Sequence, residues 1–356
     1  MSYVEPPHAR VAYPSAAATR RGPSRFFSVV LVAGAVAVAG TAGTLVAARA
    51  AIDAVERTPA VAAVLSPPRS NVENYLLVGS DSRAGADPDA PDAGGIGTEA
   101  DVSGSRSDTI MVMQRAKDTG VASLLSIPRD LWVDIPGRGR SRINSAYNDG
   151  PAVLVQTVQQ SLGLPIHHYV EVDFFGFKDI VDALGGVEIC FEYPAQDTNT
   201  GLYVAQPGCT VLDGVQALAY ARSRHYEEYR DDEWHLDGTA DLGRTKRQQH
   251  FVETALNTAL AKVKANPFVA GDLLTAIGPA IRLDDEVDVL ATAATMRTAV
   301  QQGIRTYSLP VRGDTIDGNA VLQLADGSDA VLAFFRGEGP DPAPAEAAPA
   351  DTAPAG

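Results

Sequence analysis

Short β-favouring runs alternate with helical segments between Asn74 and Arg336, and this alternation limits the possible folds more than any other feature of the sequence. The predicted strands are "NYLLVG", "TIMVMQ", "VASLLSI", "HHYVEV", "GVEICFE", a short strand around Ala219, and "RTYSLPV". The predicted helices cover residues 151–162, 174–184, 241–264, 268–280, 286–302 and 326–336, and another begins near Leu212. We therefore predict an α/β fold: a layered α/β/α domain over residues 72–336 with a central, mostly buried mixed sheet.

The stretch from Phe26 to Ala48 carries no charge and is long enough to cross a bilayer as a helix. Four arginines lie among the 25 residues before it, which favours a cytoplasmic N-terminus. We predict a cytoplasmic tail at 1–25, one transmembrane anchor at 26–48 in the cell membrane, and an extracytoplasmic chain after it. A cleaved signal peptide ending at the small-x-small residues 48–50 is the alternative, but its apolar region usually spans only about 7 to 15 residues.

Three segments stand out by their composition, and the last of them, the tail, cannot bury a core. Residues 49–71 form an Ala/Pro/Ser-rich stalk, residues 84–104 are rich in Gly, Ala and Asp, and residues 337–356 are low-complexity Pro and Ala. We predict a mobile loop within the domain at 84–104 and a disordered tail at 337–356.

The charge balance and the cysteines limit the possible functions. The formal net charge of −15 argues against a general nucleic-acid surface. An exported domain permits disulfides, so we expect Cys190 and Cys209 to pair across the loop between them; two separate buried thiols are the alternative. Neither arrangement is catalytic, and the sequence contains no CxxC or HExxH metal motif.

Opposite charges cluster where predicted strands begin or end. Such positions bind ligands in open α/β sheets, although salt bridges between loops would explain any single pair. The charged residues concerned are Asp81 and Arg83, Arg106 and Asp108, and Arg129 and Asp130.

Two later segments place arginines in rows. Arg222 and Arg224 would share one face of an extended strand, and Arg244, Arg247 and Gln248 would form one stripe of a helix. Planar guanidiniums grip phosphate oxygens well, whereas like charges in rows add little stability. The alternative is a solvated charged face neutralised by the acidic segment 227–241.

Several blocks together resemble one family. In order from Asn74 to Leu260 they are "YLLVGSDSR", "SRSDTIMV", "LLSIPRDLWVDIPG", "RINSAYNDGP", "YVEVDFFGFKDIVDALGGVEI", "LDGVQALAYARSR" and "DLGRTKRQQHF". This pattern resembles the LytR-CpsA-Psr family of cell-wall glycopolymer transferases. The loop at 84–104 is longer than usual for the family, and Arg142 stands where lysine is common.

The resemblance implies an enzyme anchored by one membrane span. Such proteins transfer a glycopolymer phosphate from a polyprenyl-pyrophosphate carrier to a peptidoglycan hydroxyl, typically the muramic acid C6 oxygen. The expected partners are therefore the lipid-linked glycopolymer and peptidoglycan. A hydrolase acting on the pyrophosphate and a non-catalytic, membrane-tethered regulator are the alternatives; loss of Asp81 and Asp108 would mark the regulator, and both aspartates are present.

The resemblance also implies roles for the clustered charges. Asp81 and Asp108 would hold Mg²⁺, with Mn²⁺ as a substitute, because one or two carboxylates plus phosphate oxygens suffice for this ion. With them, Arg106 and Arg129 would form the catalytic group. The pyrophosphate would be bound by Arg83, Arg106, Arg129, Arg222, Arg224, Arg244, Arg247 and Gln248.

Two smaller questions stay open at this stage. Asp130 either orients Arg129 or caps a turn. The family has an apolar slot for the lipid, and residues with partly helical spacing could line it, although core packing is the simpler explanation. These residues are Phe174, Phe175, Phe177 and Leu184.

Overall fold

The computed structural model describes residues 55–67, 71–81, 107–266, 273, 276–288, 292 and 303–342, without the side chains of residues 108, 240 and 241. The predicted anchor at 26–48, the loop at 84–104, most of the tail and most of the helices predicted at 268–280 and 286–302 lie outside these residues and stay predictions. Within the described part of the chain, no helix has both the length and the apolar character needed to cross a membrane.

The described strands and helices follow the predicted alternation. The strands are β1 (Glu56–Arg57), β2 (Val72–Ser80), β3 (Ser107–Ala116), β4 (Ala122–Ile127), β5 (Trp132–Ile135), β6 (Gly139–Arg142), β7 (His168–Val172), β8 (Val187–Phe191), β9 (Ala195–Asp197), β10 (Leu202–Val204), β11 (Gly208–Leu212), β12 (Glu227–Arg230), β13 (Glu233–Leu236), β14 (Arg282–Leu283), β15 (Ile304–Ser308), β16 (Val311–Ile316) and β17 (Asn319–Leu324). The α-helices are α1 (Pro151–Leu162), α2 (Phe174–Ala183), α3 (Gly214–Arg222), α4 (Ala240–Ala265) and α5 (Ser328–Arg336). Short 3-10 helices cover Pro59–Val64, Ile143–Asp149 and Gly278–Ala280.

The central sheet is mixed, as predicted. Its seven described strands lie in the order β1-β14-β7-β2-β3-β4-β15. Strand β1 and the fully buried Val61 belong to the segment predicted as a stalk at 49–71, so part of that segment is packed into the domain. Strand β2 pairs in parallel with β7 and antiparallel with β3, while β4 pairs antiparallel with β3 and parallel with β15. Consequently the carboxyl ends of β2, β4 and β7 and the amino end of β3 all lie at one edge of the sheet.

Two hydrophobic clusters cover the two faces of this sheet. Because successive side chains of a strand point to opposite faces, Met111 packs on one side and its neighbour Val112 on the other. The first cluster joins the sheet to α2, α3 and α4, and the second joins it to α1 and α5. Helices therefore cover both faces of the sheet.

The prediction of a strand around Ala219 is wrong, because α3 runs through it to Arg222. Asp213 caps the helix by accepting a hydrogen bond from the backbone N–H of Gln216 at 2.9 Å. The following run "ALAYA" contains strong helix formers and is buried against the domain. Arg222 and Arg224 consequently do not share the face of a strand.

Small sheets that the sequence did not predict flank the domain. Strands β9, β10, β12 and β13 form one of them, and β16 pairs with β17. In the pair β8–β11, Cys190 and Cys209 are register partners and are joined by a disulfide, as expected from the sequence.

The beginning of the predicted tail contacts the domain. The carboxylate of Asp341 accepts a hydrogen bond from the hydroxyl of Tyr307 at 2.6 Å and pairs with Arg305. Contacts with the domain therefore reach beyond the predicted boundary at Arg336.

Candidate active site

The sheet edge brings two aspartate positions together. Ser80 pairs with Ser107, whereas Gly79 pairs with Thr109, so the register shifts by one residue between Gly79 and Ser80. Asp108 is the extra residue of this β-bulge. Asp81 directly follows Ser80, so the backbone places both aspartates at the same edge. Arg83 and Arg106 lie outside the described residues.

A cavity of about 350 Å³ opens between this edge and the helices α2, α3 and α4. One part of its wall is apolar and the other part is charged or polar. The apolar part includes Leu77, Met111, Val170, Val172, Phe174, Phe177, Leu218, Phe251 and Val252. The polar part includes Arg129, Asp173, Asp197, Arg222, Arg224, His225, Arg244 and Gln248.

Some of the apolar residues that could line a lipid slot do line the cavity. Phe174 and Phe177 line the cavity and also belong to the hydrophobic core. Leu184 is fully buried in the core, and neither it nor Phe175 lines the cavity.

Arg129 follows β4 and reaches the cavity next to Asp130. Its Nε lies 3.6 Å from Oδ2 of Asp130, and the other carboxylate oxygen lies 3.5 Å from Nε of Arg142. Asp130 thus lies between two guanidiniums. This arrangement favours the interpretation that Asp130 orients Arg129.

Arg222 and Arg224 line the cavity from the end of α3 and the segment after it. The guanidinium of Arg222 lies over the ring of Phe174, 4.6 Å from its centroid, where the apolar wall meets the charged wall. Between the two arginines, the hydroxyl of Ser223 donates to Oδ2 of Asp197 at 2.6 Å. The same oxygen accepts from the backbone N–H groups of Arg224 and His225, at 3.0 and 2.9 Å.

The three polar residues of α4 do not all face the cavity. Arg244 and Gln248 line it, and Arg244 is only 4% exposed. Arg247 lies outside the lining: its guanidinium donates to Asp237 at 3.0 Å and to the backbone carbonyl of Ser223 at 2.8 Å. Because Arg244 and Arg247 are both buried, a solvated charged face does not describe this row.

The partner of Arg247 is held in its charged form. Burial alone would raise the pKa of Asp237, but hydrogen bonds from Thr239 and Arg247, together with the charge of Arg247, hold that pKa below its usual value. Arg247 also stacks on Tyr226 at 4.6 Å. The guanidinium of Arg247 is therefore engaged by other residues of the protein.

Asp173 follows β7 at the same sheet edge and begins α2. Its Oδ1 accepts a hydrogen bond from the backbone N–H of Gly176 at 2.9 Å, so it caps the helix. Burial raises the pKa of this carboxyl group, although the Gly176 hydrogen bond and Arg282 oppose the shift.

The donor set at the edge suits a hard cation only together with phosphate oxygens. Among the described residues, no group of three or more His, Cys, Asp and Glu side chains could hold a metal ion. Asp81 and Asp108 are two aspartate positions at this edge of the sheet. Two carboxylates plus the oxygens of a bound pyrophosphate would match the coordination that Mg²⁺ prefers.

Sequence reasoning missed Asp173, Asp197 and His225 among the polar residues of the cavity wall, and of these Asp197 makes the most contacts across the chain. It lies in "AQDTNTG", which has the composition of a turn, and its partners are 26 to 28 residues further along the chain. Such contacts leave no local sequence signal.

Comparison with known proteins assigns the fold and the family. The LytR_cpsA_psr family model matches residues 39–331. The chain is similar to a probable cell wall biosynthesis protein LcpB from Corynebacterium glutamicum, with 37% identity over 74% of this chain and 61% of that protein. It is also 34% identical to the polyisoprenyl-teichoic acid–peptidoglycan teichoic acid transferase TagU from Oceanobacillus iheyensis, over 69% of each. The match to LcpB thus spans about three fifths of that relative's length.

Solved structures show the same fold. A LytR-Csp2A-Psr enzyme from Actinomyces oris superposes with a TM-score of 0.60 and 25% identity, over 79% of this chain and 95% of that one. Bacillus subtilis TagT bound to LIIa-WTA superposes with a TM-score of 0.54 and 21% identity, over 79% and 97% of the two chains, which is a likeness of fold alone.

Proposed function

The chain belongs to the LytR_cpsA_psr family, and we propose that it transfers a glycopolymer phosphate from a polyprenyl-pyrophosphate carrier to a peptidoglycan hydroxyl, such as the muramic acid C6-OH. TagU is named for transfer of teichoic acid to peptidoglycan, and LcpB for cell wall biosynthesis. Both names support a transferase in cell-wall assembly. We also propose that the predicted span at 26–48 anchors the domain on the outer face of the membrane.

The cavity is the observation that carries this proposal. A polyprenyl pyrophosphate has an apolar chain and a dianionic or trianionic head, and the cavity has an apolar wall that meets a wall of arginines. Phe174 and Arg222 form the boundary between the two. A nucleotide or a free sugar phosphate would leave the apolar wall unfilled.

The reaction needs charge neutralisation and positioning more than covalent catalysis. The acceptor oxygen forms a new P–O bond to the phosphoryl group of the glycopolymer, and the P–O bond to the lipid phosphate breaks. Polyprenyl phosphate leaves, and the proton of the acceptor hydroxyl is released. Arg129, Arg222 and Arg224 would stabilise the charge that develops on the phosphate oxygens.

Asp81 and Asp108 are the residues that would hold Mg²⁺, or Mn²⁺ in its place. The ion would supply further neutralisation of the pyrophosphate charge.

The test is transfer by the full-length protein in detergent, with a lipid-linked oligosaccharide donor and peptidoglycan as acceptor. We expect polyprenyl phosphate to be released only when acceptor is present. Release without acceptor would instead indicate a hydrolase, and no release under either condition would favour a regulator.

Variants of the cavity arginines separate function from scaffolding. Arg129→Ala and Arg222→Ala should each lower turnover by about 10²-fold, the loss typical of one charge-stabilising group. Arg222→Lys should rescue poorly because it lacks the planar fork. Arg138→Ala is the control, since Arg138 forms an exposed pair with Asp149 at 3.1 Å. Normal transfer per folded molecule in the two cavity variants would contradict the proposal.

A further inference from the structure

The segment 221–225 contains the last two residues of α3 and the first three residues after it, and it carries two cavity arginines. Helix α3 ends at Arg222, and strand β12 begins only at Glu227. An unanchored segment of this kind would sample many conformations, and ordering each residue costs about 1–2 kcal/mol. Whatever holds this segment therefore sets how well Arg222 and Arg224 are arranged before substrate binds.

Asp197 holds the segment from one side. Its Oδ2 accepts from the Ser223 hydroxyl and from the backbone N–H groups of Arg224 and His225. Its Oδ1 accepts from the backbone N–H of Asn199 at 2.9 Å. Asp197 is completely buried, and burying a carboxylate is costly unless hydrogen bonds satisfy it. Both oxygens are therefore engaged by the protein, although the residue lines the cavity.

Helix α4 holds the same segment from the other side. The side-chain amide of Gln248 donates to the carbonyl of Ala221 at 3.0 Å. The guanidinium of Arg247 donates to the carbonyl of Ser223 at 2.8 Å. Side chains of β9 and α4 thus bind residues 221, 223, 224 and 225, and the two arginines of this segment line the cavity.

We propose that Asp197 is a positioning residue for pyrophosphate recognition: with Arg247 and Gln248 it fixes the segment 221–225, so that the guanidiniums of Arg222 and Arg224 are arranged in advance of binding. This inference rests on the proposed function for the identity of the ligand. Asp197 does not touch the substrate, and its effect passes through the two arginines. Prior arrangement of charged groups increases affinity and stabilises developing charge.

The first measurement is the affinity of the full-length protein for inorganic pyrophosphate, by isothermal titration. Asp197→Asn keeps the size of the side chain but removes its charge and replaces one accepting oxygen by an N–H donor. At least one of the four donors loses its partner, and the hydrogen bonds that remain are no longer charge-assisted. We expect the affinity to fall about 10-fold or more, in line with the cost of an unsatisfied buried donor. Asp213→Ala is the control, because it removes the cap at the other end of the same helix α3.

A double-mutant cycle distinguishes positioning from general destabilisation. Combined with Arg224→Ala, the effect of Asp197→Asn should be clearly smaller than in the wild-type background, because one of the groups that it positions is gone. Combined with Arg244→Ala, the two losses should multiply, because Arg244 is placed by α4.

Three results would overturn the inference: wild-type affinity in Asp197→Asn, an equal loss in Asp213→Ala, or losses that multiply with Arg224→Ala. A wild-type protein that binds pyrophosphate but transfers no glycopolymer would contradict the proposed function and leave this inference intact. The two proposals therefore fail on different measurements.

Discussion

His168 makes the stability of the domain depend on pH in a way that can be calculated. It begins β7, at the end of the sheet opposite the cavity, and its side chain is 15% exposed. Its Nε2 lies 3.4 Å from Oε1 of Glu73, and its Nδ1 lies 3.5 Å from Oδ2 of Asp284. Burial alone would lower the pKa of His168, but hydrogen bonds to Asp284 and Glu73 and their charges raise it to about 9.

The pKa difference gives the expected magnitude. A rise from 6.5 to about 9, at 1.36 kcal/mol for each pH unit, corresponds to about 3 kcal/mol of free energy of unfolding as an upper figure. Because the pKa is raised in the folded state, this stability is fully present below pH 6.5. It is lost progressively as the pH rises through about 9.

Glu73 and His167 also make the free energy of unfolding depend on pH, but they do so at lower pH than His168. The pKa of Glu73 is lowered to about 2: burial opposes the shift, and His168 and Arg115 cause it. Its contribution is present above pH 4.5 and is lost as the pH falls towards 2. Burial lowers the pKa of His167 to about 4, so His167 destabilises the fold only as the pH falls below 6.5.

The assay is urea unfolding between pH 6 and pH 9, below the pH at which tyrosines ionise in the unfolded chain. We expect the free energy of unfolding of the wild type to fall by up to about 3 kcal/mol over this range. His168→Gln should be less stable at pH 6 and nearly flat across the range, so that the two curves converge at high pH. Parallel curves, or a wild type that does not lose stability, would refute the assignment of this dependence to His168.

Two further predictions concern the scaffold. Gly214→Ala should destabilise the domain by about 1–3 kcal/mol in urea unfolding, because its Cβ would lie 2.6 Å from the carbonyl oxygen of Lys178, where α3 approaches α2. If this variant is as stable as the wild type, the two helices can move apart without cost. Replacing Cys190 and Cys209 by serine should cost about 2–4 kcal/mol, and free thiols titrating in the unreduced, denatured protein would contradict the pairing.

The central sheet and the long helices could be predicted because their signals are local. Strand β4 is buried along its whole length and is a continuous apolar run apart from two serines, and α1 begins at Pro151 and ends before Gly163 as its sequence suggests. The segment "ALAYARSRH" contains two conflicting local signals: alanines that favour a helix and alternating arginines that suggest a strand. The cap at Asp213 and burial of the alanines decide in favour of the helix.

The sequence predicts which residues of α4 lie near the site, but not which of them line the cavity and which bind other parts of the protein. On α4, Gln248 lies about 40° around the helix axis from Arg244, whereas Arg247 lies about 60° away in the other direction. That separation places Arg244 and Gln248 at the cavity and Arg247 against Asp237. The spacing predicts the stripe, but the partners that turn Arg247 away from the cavity, Asp237 and the carbonyl of Ser223, lie elsewhere in the chain.

The acidic groups explain how an acidic chain maintains a cationic cavity. Guanidiniums gathered in one cavity repel each other before substrate arrives, and nearby carboxylates offset that repulsion. Asp130 lies beside Arg129, and Asp237 pairs with Arg247. Asp197 acts through the main chain: it accepts a hydrogen bond from the backbone N–H of Arg224. A carboxylate placed in this way adds negative charge near the segment and fixes its backbone, while the side chain of Arg224 lines the cavity.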